Sequence, residues 1–325
     1  MAKRKRELES KRVGALPIVN ELLERLDLEN ILSRYLPREK RRGRRPAVPP
    51  EKVLLVLLRN LVLRKDPLYG IPDWVRSHVP ELFGLKEAHL GSLGDDRLAR
   101  ALDLLYEADS SRLLTRVILQ AVREYRVRLK EIHNDTTTVT FSGRYARQKF
   151  QVGTIFLRRG KNKDHRPDLK QLVFSVSTSA DGDIPVHYRA FAGNTNDDQI
   201  HTEIWSDLRD FIGHSDFVYV ADSKLCTRSN MHFIDSQKGK FVTVLPRTRK
   251  EDGEFRSWVQ DHRIPWEGEK KLPNPRRKND PPHIFRVYEW PWRSSEGYRI
   301  IWVWDSLKAA HDALVRKERT DRARE

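Results

Sequence analysis

Two aspartates occupy positions where strand-forming residues are expected, and they are the residues best suited to chemistry. Asp135 interrupts the threonine-rich run Ile132–Phe141, and Asp222 ends the apolar run Phe217–Asp222. Aspartate is depleted in strands because its side chain competes for backbone hydrogen bonds. Although Asp222 lies 87 residues after Asp135, two such acids can meet at one edge of a sheet. Carboxylate pairs of this kind suit Mg²⁺, but a cap or turn role is the open alternative.

A basic loop precedes the next strand-like segment. Residues 160–171 include four side chains that could bind phosphates near the strand of Asp135, namely Lys163, His165, Arg166 and Lys170. Phosphate binding and a merely solvated hairpin loop are both compatible with this composition.

The overall composition favours a polyanionic partner. The 325 residues are 38% hydrophobic, carry a formal charge of +16 and have a pI near 9.9, so nucleic acid is the first candidate. No apolar run is long enough to span a bilayer, and the N-terminus lacks the apolar core of a secretory signal, which predicts a cytoplasmic protein. The single cysteine, Cys226, excludes an internal disulfide and a cysteine-rich zinc site.

The first 130 residues have helical periodicity. Residues 1–45 are predicted to form a small helical unit with a basic arm and linker, and residues 46–130 a helical, DNA-binding region. The linker carries the predicted DNA contacts Arg41, Arg42, Arg44 and Arg45. It could follow a phosphate backbone or simply be solvated. Within residues 46–130, Asp95 is expected to cap a helix, and Trp74 and Phe83 are expected to fill the helical bundle.

From residue 131 the apolar period changes from 3.6 to 2. Three strands are predicted at 131–142, 171–179 and 184–191, as an antiparallel meander with a turn at 181–183 between the last two. Alternating helices and strands then follow at 198–212, 217–222, about 226–237, and 241–245. This order is that of a ribonuclease-H-like mixed sheet with flanking helices, so we predict an α/β fold with residues 131–250 as the first part of its core. The helix at 198–212 is expected to have one apolar face formed by Ile200, Ile204, Trp205, Leu208 and Phe211.

A β-rich segment is predicted to interrupt this fold. Residues 251–306 are predicted to form short strands. The strands 284–290 and 298–304 are expected to pair across a turn at 293–297. Residues 307–325 then begin a charged helix.

Several motifs, in order along nearly the whole chain, resemble those of bacterial insertion-sequence transposases of the DDE type. They are Ala15-Leu16-Pro17-Ile18-Val19, Gly94-Asp95-Asp96-Arg97-Leu98, His133-Asn134-Asp135-Thr136-Thr137, Lys163-Asp164-His165-Arg166-Pro167-Asp168-Leu169-Lys170-Gln171, Gly193-Asn194-Thr195 and Ala221-Asp222-Ser223.

The resemblance implies a DNA transposase whose ribonuclease-H-like domain holds two aspartates and a glutamate. These acids would bind Mg²⁺ or Mn²⁺, cleave the transposon ends and join them to target DNA. Asp135 and Asp222 match the first two acids, and the β-rich segment matches the all-β insertion of one group. Synapsis of two DNA ends implies a homodimer on DNA, which would be associated with the nucleoid.

One departure concerns the third acid. The resemblance places a glutamate after the insertion, within a Tyr, Arg, Glu, Lys pattern that this sequence lacks. Glu318 and Glu325 lie in a Lys/Arg-rich helix, where solvent exposure and helical charge pairing account for them better than a catalytic role does. We therefore expect a C-terminally truncated enzyme. The alternatives are a non-catalytic DNA-binding remnant or regulator, and a metal nuclease unrelated to transposition.

Overall fold

The computed structural model describes residues 10–38, 46–143, 145, 155–160, 166–195, 197–275 and 280–324. The fold is mixed α/β: helices dominate the first part of the chain and a mixed sheet with helices follows. By their internal contacts the residues divide into two units, 1–133 with 174–189 and 134–173 with 190–325.

Among the described residues, six α-helices precede the first strand. They are α1 (Leu16–Arg25), α2 (Leu28–Tyr35), α3 (Pro50–Leu63), α4 (Ile71–Arg76), α5 (Asp95–Glu107) and α6 (Ser110–Tyr125). Proline near the start of α1, α3 and α4 suits a helix beginning, because its missing N–H would have no partner there. The apolar faces of the helices share one core that runs from Leu16 to Leu113.

Two aromatic residues fill this helical core as the sequence predicts. Trp74 and Phe83 are buried, and their rings meet edge to face with centroids 5.0 Å apart. The prediction that Asp95 caps α5 is wrong. Gly94 occupies the N-cap position, and its carbonyl accepts from the N–H groups of Arg97 and Leu98, so the helix starts one residue earlier.

The main sheet has six strands. They are β1 (Glu131–Phe141), β2 (Arg158–Arg159), β3 (Lys170–Ser179), β4 (Pro185–Ala192), β5 (Val218–Ala221) and β6 (Lys240–Thr243). Their order is β2-β3-β1-β5-β6, and β4 also pairs with β3. β2 is antiparallel to β3 whereas β5 is parallel to β6, so the sheet is mixed.

The first three long strands follow the predicted meander. The N–H of Ala180, just after β3, donates to the carbonyl of Glu131 at the start of β1, as in an antiparallel pair. The predicted turn at 181–183 closes β3 onto β4, with Gly182 and Asp183 both at positive φ. Asp183 tolerates this region better than most residues because its short side chain can bond locally.

Two helices alternate with strands β5 and β6 along the chain. α7 (Asp197–Ile212) buries Ile200, Ile204, Trp205 and Leu208 at helical spacing, as predicted. The indole of Trp205 stacks on Phe217, at the start of the β5 segment, with ring centroids 6.0 Å apart. α8 (Arg228–Ser236) follows β5 and leads into β6.

A second sheet of three antiparallel strands follows the first. It consists of β7 (Glu267–Leu272), β8 (His283–Glu289) and β9 (Ile301–Asp305). The pairing of β8 with β9 confirms the predicted hairpin. Aromatic side chains on this sheet, including Tyr288, Trp290 and Trp302, form a separate apolar cluster.

The prediction of only β pieces after residue 250 is wrong, because Lys250–Asp261 forms helix α9. Its two aromatic residues, Phe255 and Trp258, are three positions apart and so share one helix face. Phe255 stacks on Trp302 with ring centroids 3.7 Å apart. The helix therefore supplies one side of the apolar cluster of the second sheet.

Helix α10 (Ser306–Arg322) ends the described chain, and Asp305 caps it by accepting from the N–H groups of Leu307 and Lys308. None of the helices in the described ranges has both the length and the hydropathy required to cross a bilayer.

Gly239 is a position where a side chain would collide with the core. A Cβ there would lie 2.5 Å from Cζ2 of Trp205 and 2.7 Å from Cγ2 of Ile234. We predict that Gly239→Ala lowers the free energy of unfolding by about 1–3 kcal/mol, the usual cost of overpacking, in urea titrations followed by circular dichroism.

Gly253 provides the matched control for that substitution. A Cβ at this position of α9 would meet no atom within 4 Å, and alanine favours helix over glycine. Gly253→Ala should therefore raise stability by about 0.5–1 kcal/mol. Equal effects of the two alanines would contradict the packing described around Trp205.

Candidate metal centre

Asp135 lies on the solvent-facing side of β1. The strand alternates, with Ile132, Asn134 and Thr136 buried and the residues between them exposed. Oδ1 of Asp135 accepts a hydrogen bond from the N–H of Thr136 at 2.8 Å. The threonines that favour the strand thus place one carboxylate on its accessible face.

Asp222 follows the last residue of β5 and is exposed as well. Its Oδ1 accepts from the N–H of Lys224 at 3.0 Å, a local turn that orients the carboxylate. Its carbonyl accepts from the Thr243 hydroxyl at 2.6 Å and from the N–H of Leu225 at 3.2 Å. Asp222 is therefore held at both its backbone and its side chain.

The residue three positions before Asp222 is buried on β5. The Tyr219 hydroxyl lies 3.0 Å from Nδ1 of His201 on α7. Burial raises the pKa of Tyr219, and the charge of Asp222 adds to that shift. Tyr219 therefore stays a neutral phenol that ties β5 to α7 beneath the exposed carboxylate.

The sheet order brings the two predicted acids onto adjacent strands, because β1 is the neighbour of β5. Their oxygens match the ligands that Mg²⁺ and Mn²⁺ prefer. Within the described ranges, no group of three or more His, Cys, Asp or Glu side chains is arranged to hold a metal. Two carboxylates, completed by substrate and water oxygens, are a donor set that Mg²⁺ accepts.

The predicted DNA contacts are only partly described. Lys163, His165, Arg41, Arg42, Arg44 and Arg45 lie outside the described residues. Arg166 is exposed and makes two hydrogen bonds with Asp168, at 2.7 and 2.9 Å, while Nζ of Lys170 donates to the carbonyl of Tyr145 at 2.8 Å. Arg166 and Lys170 as DNA contacts stay predictions.

Two motif residues have a packing role that sequence reasoning missed. Nε2 of the fully buried Gln171 donates to the carbonyl of Gly193 at 2.7 Å. A Cβ on Gly193 would overlap the carbonyl oxygens of Gln171 and Arg158. Glycine is needed there because backbone segments approach too closely for any side chain.

A partly buried ionic network that sequence reasoning also missed anchors the segment after β6. Arg249 donates to Glu296 at 2.6 and 2.9 Å and to Glu251 at 2.9 and 3.1 Å. Its hydrogen bonds lower the pKa of Glu296 to about 2, and the two carboxylates raise the pKa of Arg249. Nothing in the local sequence signals the pair Arg249 and Glu296, because 47 residues separate them.

Cys226 follows Asp222 by four residues and is buried. Burial raises the pKa of its thiol, the charge of Arg249 opposes that shift, and the charges of Glu296 and Glu251 add to it.

Sequence comparison matches residues 8–119 to a family described as a domain of unknown function, DUF4277. No curated protein matches the chain significantly.

Solved structures similar to this chain are transposases. A cryo-EM structure of the piggyBac transposase synaptic complex with hairpin DNA is 13% identical, with a TM-score of 0.43 over 89% of this chain. The Mos1 transposase paired-end complex with left transposon end is 8% identical, with a TM-score of 0.24 over 69% of this chain and 75% of that one. The chain spans 59% of the piggyBac transposase chain. At these scores the likenesses define neither a family nor a site residue.

The Arg249 network leads to a prediction about stability and pH. Glu296→Gln should lower the free energy of unfolding at pH 7 by about 2–3 kcal/mol, because it removes a carboxylate whose pKa is lowered in the folded protein by a partly buried ion pair. Folding lowers the Glu296 pKa to about 2, so the contribution is complete above the unfolded carboxyl's pKa of about 4.3 and is lost as the pH falls toward 2. Denaturant titrations from pH 7 to pH 2.5 should show the two proteins converging.

Glu254→Gln is the control for this prediction. Glu254 pairs with Lys250 on the exposed side of α9, where water screens the interaction. Its replacement should leave the midpoint of unfolding almost unchanged at every pH. A constant difference between Glu296→Gln and the parent protein down to pH 2.5 would contradict the ionic origin of the effect.

Proposed function

We propose that this protein is a DDE-type DNA transposase that cleaves transposon ends and joins them to target DNA. The observation that carries the proposal is the pair of exposed carboxylates Asp135, on β1, and Asp222, directly after the adjacent strand β5 of a mixed sheet. The motifs that resemble those of insertion-sequence transposases support it, since both acids belong to them. So does the formal charge of +16, which favours a nucleic-acid partner.

Asp135 and Asp222 would hold Mg²⁺ or Mn²⁺ in this function. The ion, when bound, supplies activation of a water or a 3′-hydroxyl and stabilisation of the leaving oxygen in phosphodiester displacement. The chain's own part is to keep both carboxylates accessible and oriented. The Lys224 N–H holds one oxygen of Asp222, and the Thr243 hydroxyl holds its carbonyl.

The rest of the chain takes its proposed role from this reaction. The mixed sheet with its helices would be the ribonuclease-H-like catalytic core, and the N-terminal helices with the basic linker would bind DNA. Two ends must be held together for joining, so the protein would act as a homodimer on DNA. It would work in the bacterial cytoplasm and associate with the nucleoid when bound.

Replacing either acid tests the proposal. The substrates are duplexes taken from both flanks of the gene, incubated with Mg²⁺ or Mn²⁺, and cleavage and strand transfer are read on gels. Asp135→Asn and Asp222→Asn should each reduce cleavage by at least about 100-fold, because even supporting groups of metal sites are worth 10–100-fold. Each variant should still bind the duplex, since no cation is removed.

Asp183→Asn serves as the control, since Asp183 lies in the exposed turn between β3 and β4 and asparagine also tolerates its positive φ. This variant should cleave as the parent protein does. Undiminished cleavage in Asp135→Asn would refute the assignment.

The two other candidate functions give different products. A non-catalytic DNA-binding regulator binds the flanks without cutting them. A metal nuclease unrelated to transposition cuts them without joining. Joined products that depend on both acids are expected from the transposase alone.

A further inference from the structure

Three cations lie in the segments that follow β5 and β6. Lys224, Arg228 and Arg247 are exposed, and across the described part of the chain none of them forms an ion pair. Other cations of the same unit are neutralised by carboxylates, among them Arg249, Arg256, Arg286 and Arg299. The positive charge at this edge is therefore left for a partner outside the chain.

The parallel pairing of β5 and β6 places the three cations in segments that leave the sheet at the same edge. Ala221 lies beside Thr243, so the residues that follow both strands emerge at the same edge of the sheet. Lys224 is two residues beyond Asp222, and Arg228 begins α8 directly after its N-cap, Thr227. Arg247 lies four residues beyond Thr243, the last residue of β6.

Cations in the segments that follow Asp222 can offset the repulsion between its carboxylate and a nucleic acid. An exposed carboxylate repels a phosphodiester, so a nucleic acid reaches it more readily where neighbouring cations offset that repulsion. Lysine provides a point charge for a phosphate oxygen, and arginine provides a planar fork that can contact two.

We propose that Lys224, Arg228 and Arg247 form a phosphate-binding group that holds the DNA backbone next to Asp222. The inference rests on the proposed function, because it takes DNA as the polyanion. It goes beyond that function by assigning the backbone contacts to the edge of β5 and β6, separate from the basic loop of residues 160–171 and from the N-terminal linker.

The test is the salt dependence of duplex binding by the full chain without divalent metal. The triple variant Lys224→Gln, Arg228→Gln, Arg247→Gln keeps the long side chains and removes three charges. If each cation contacts one phosphate, the slope of log K against log salt should fall by about 2–3. Binding at low salt should weaken at least about tenfold.

A charge-matched control separates local contacts from net charge. The variant Arg316→Gln, Lys317→Gln, Arg319→Gln removes three exposed charges from α10, a helix that packs on β8 and β9. It should keep the parent slope. If both triple variants shift the slope equally, or if neither does, the proposed phosphate-binding group does not exist.

Failure of this inference is distinguishable from failure of the transposase proposal. An unchanged slope together with cleavage that depends on Asp135 and Asp222 refutes the phosphate-binding group and leaves the enzyme in place. A reduced slope for Lys224, Arg228 and Arg247 without any cleavage supports the group and refutes the enzyme.

Discussion

The adjacency of β1 and β5 is the constraint on which the candidate site depends. It brings together two strands that carry acids 87 residues apart, and no local segment could do so. Two like charges on neighbouring strands repel, but exposure to water weakens the repulsion, and the N–H groups of Thr136 and Lys224 each stabilise one carboxylate.

The buried side of the sheet keeps the strands in place beneath these acids. Tyr219 bonds to His201, and Trp205 stacks on Phe217, so α7 fixes β5 from below while Asp222 stays accessible. After β6, Arg249 forms an ion pair with Glu296, which lies between β8 and β9. Apolar packing thus holds β5 from one side, and a partly buried ionic network orders the segment after β6.

Much of the fold could be predicted from periodicity and local signals. Proline and a dense apolar stripe define α3, the spacing of Ile200 and Ile204 defines α7, and the turn at 181–183 defines the β3–β4 hairpin. What escaped prediction depends on distant partners. Helix α9 has only a narrow aromatic face, which is partly buried because Phe255 stacks on the distant Trp302. Glycine is required at position 193 because the backbone of Gln171 approaches it closely. Both acids of the site could be named from the sequence, whereas the Arg249 network could not.

Crystals of the chain grown with Mn²⁺ and a DNA duplex would test the central claim most directly, through the anomalous scattering of manganese. We expect an anomalous peak in contact with carboxylate oxygens of both Asp135 and Asp222, with a phosphate oxygen completing the coordination shell of the manganese ion. A peak that contacts neither acid, or manganese bound only elsewhere on the chain, would contradict it.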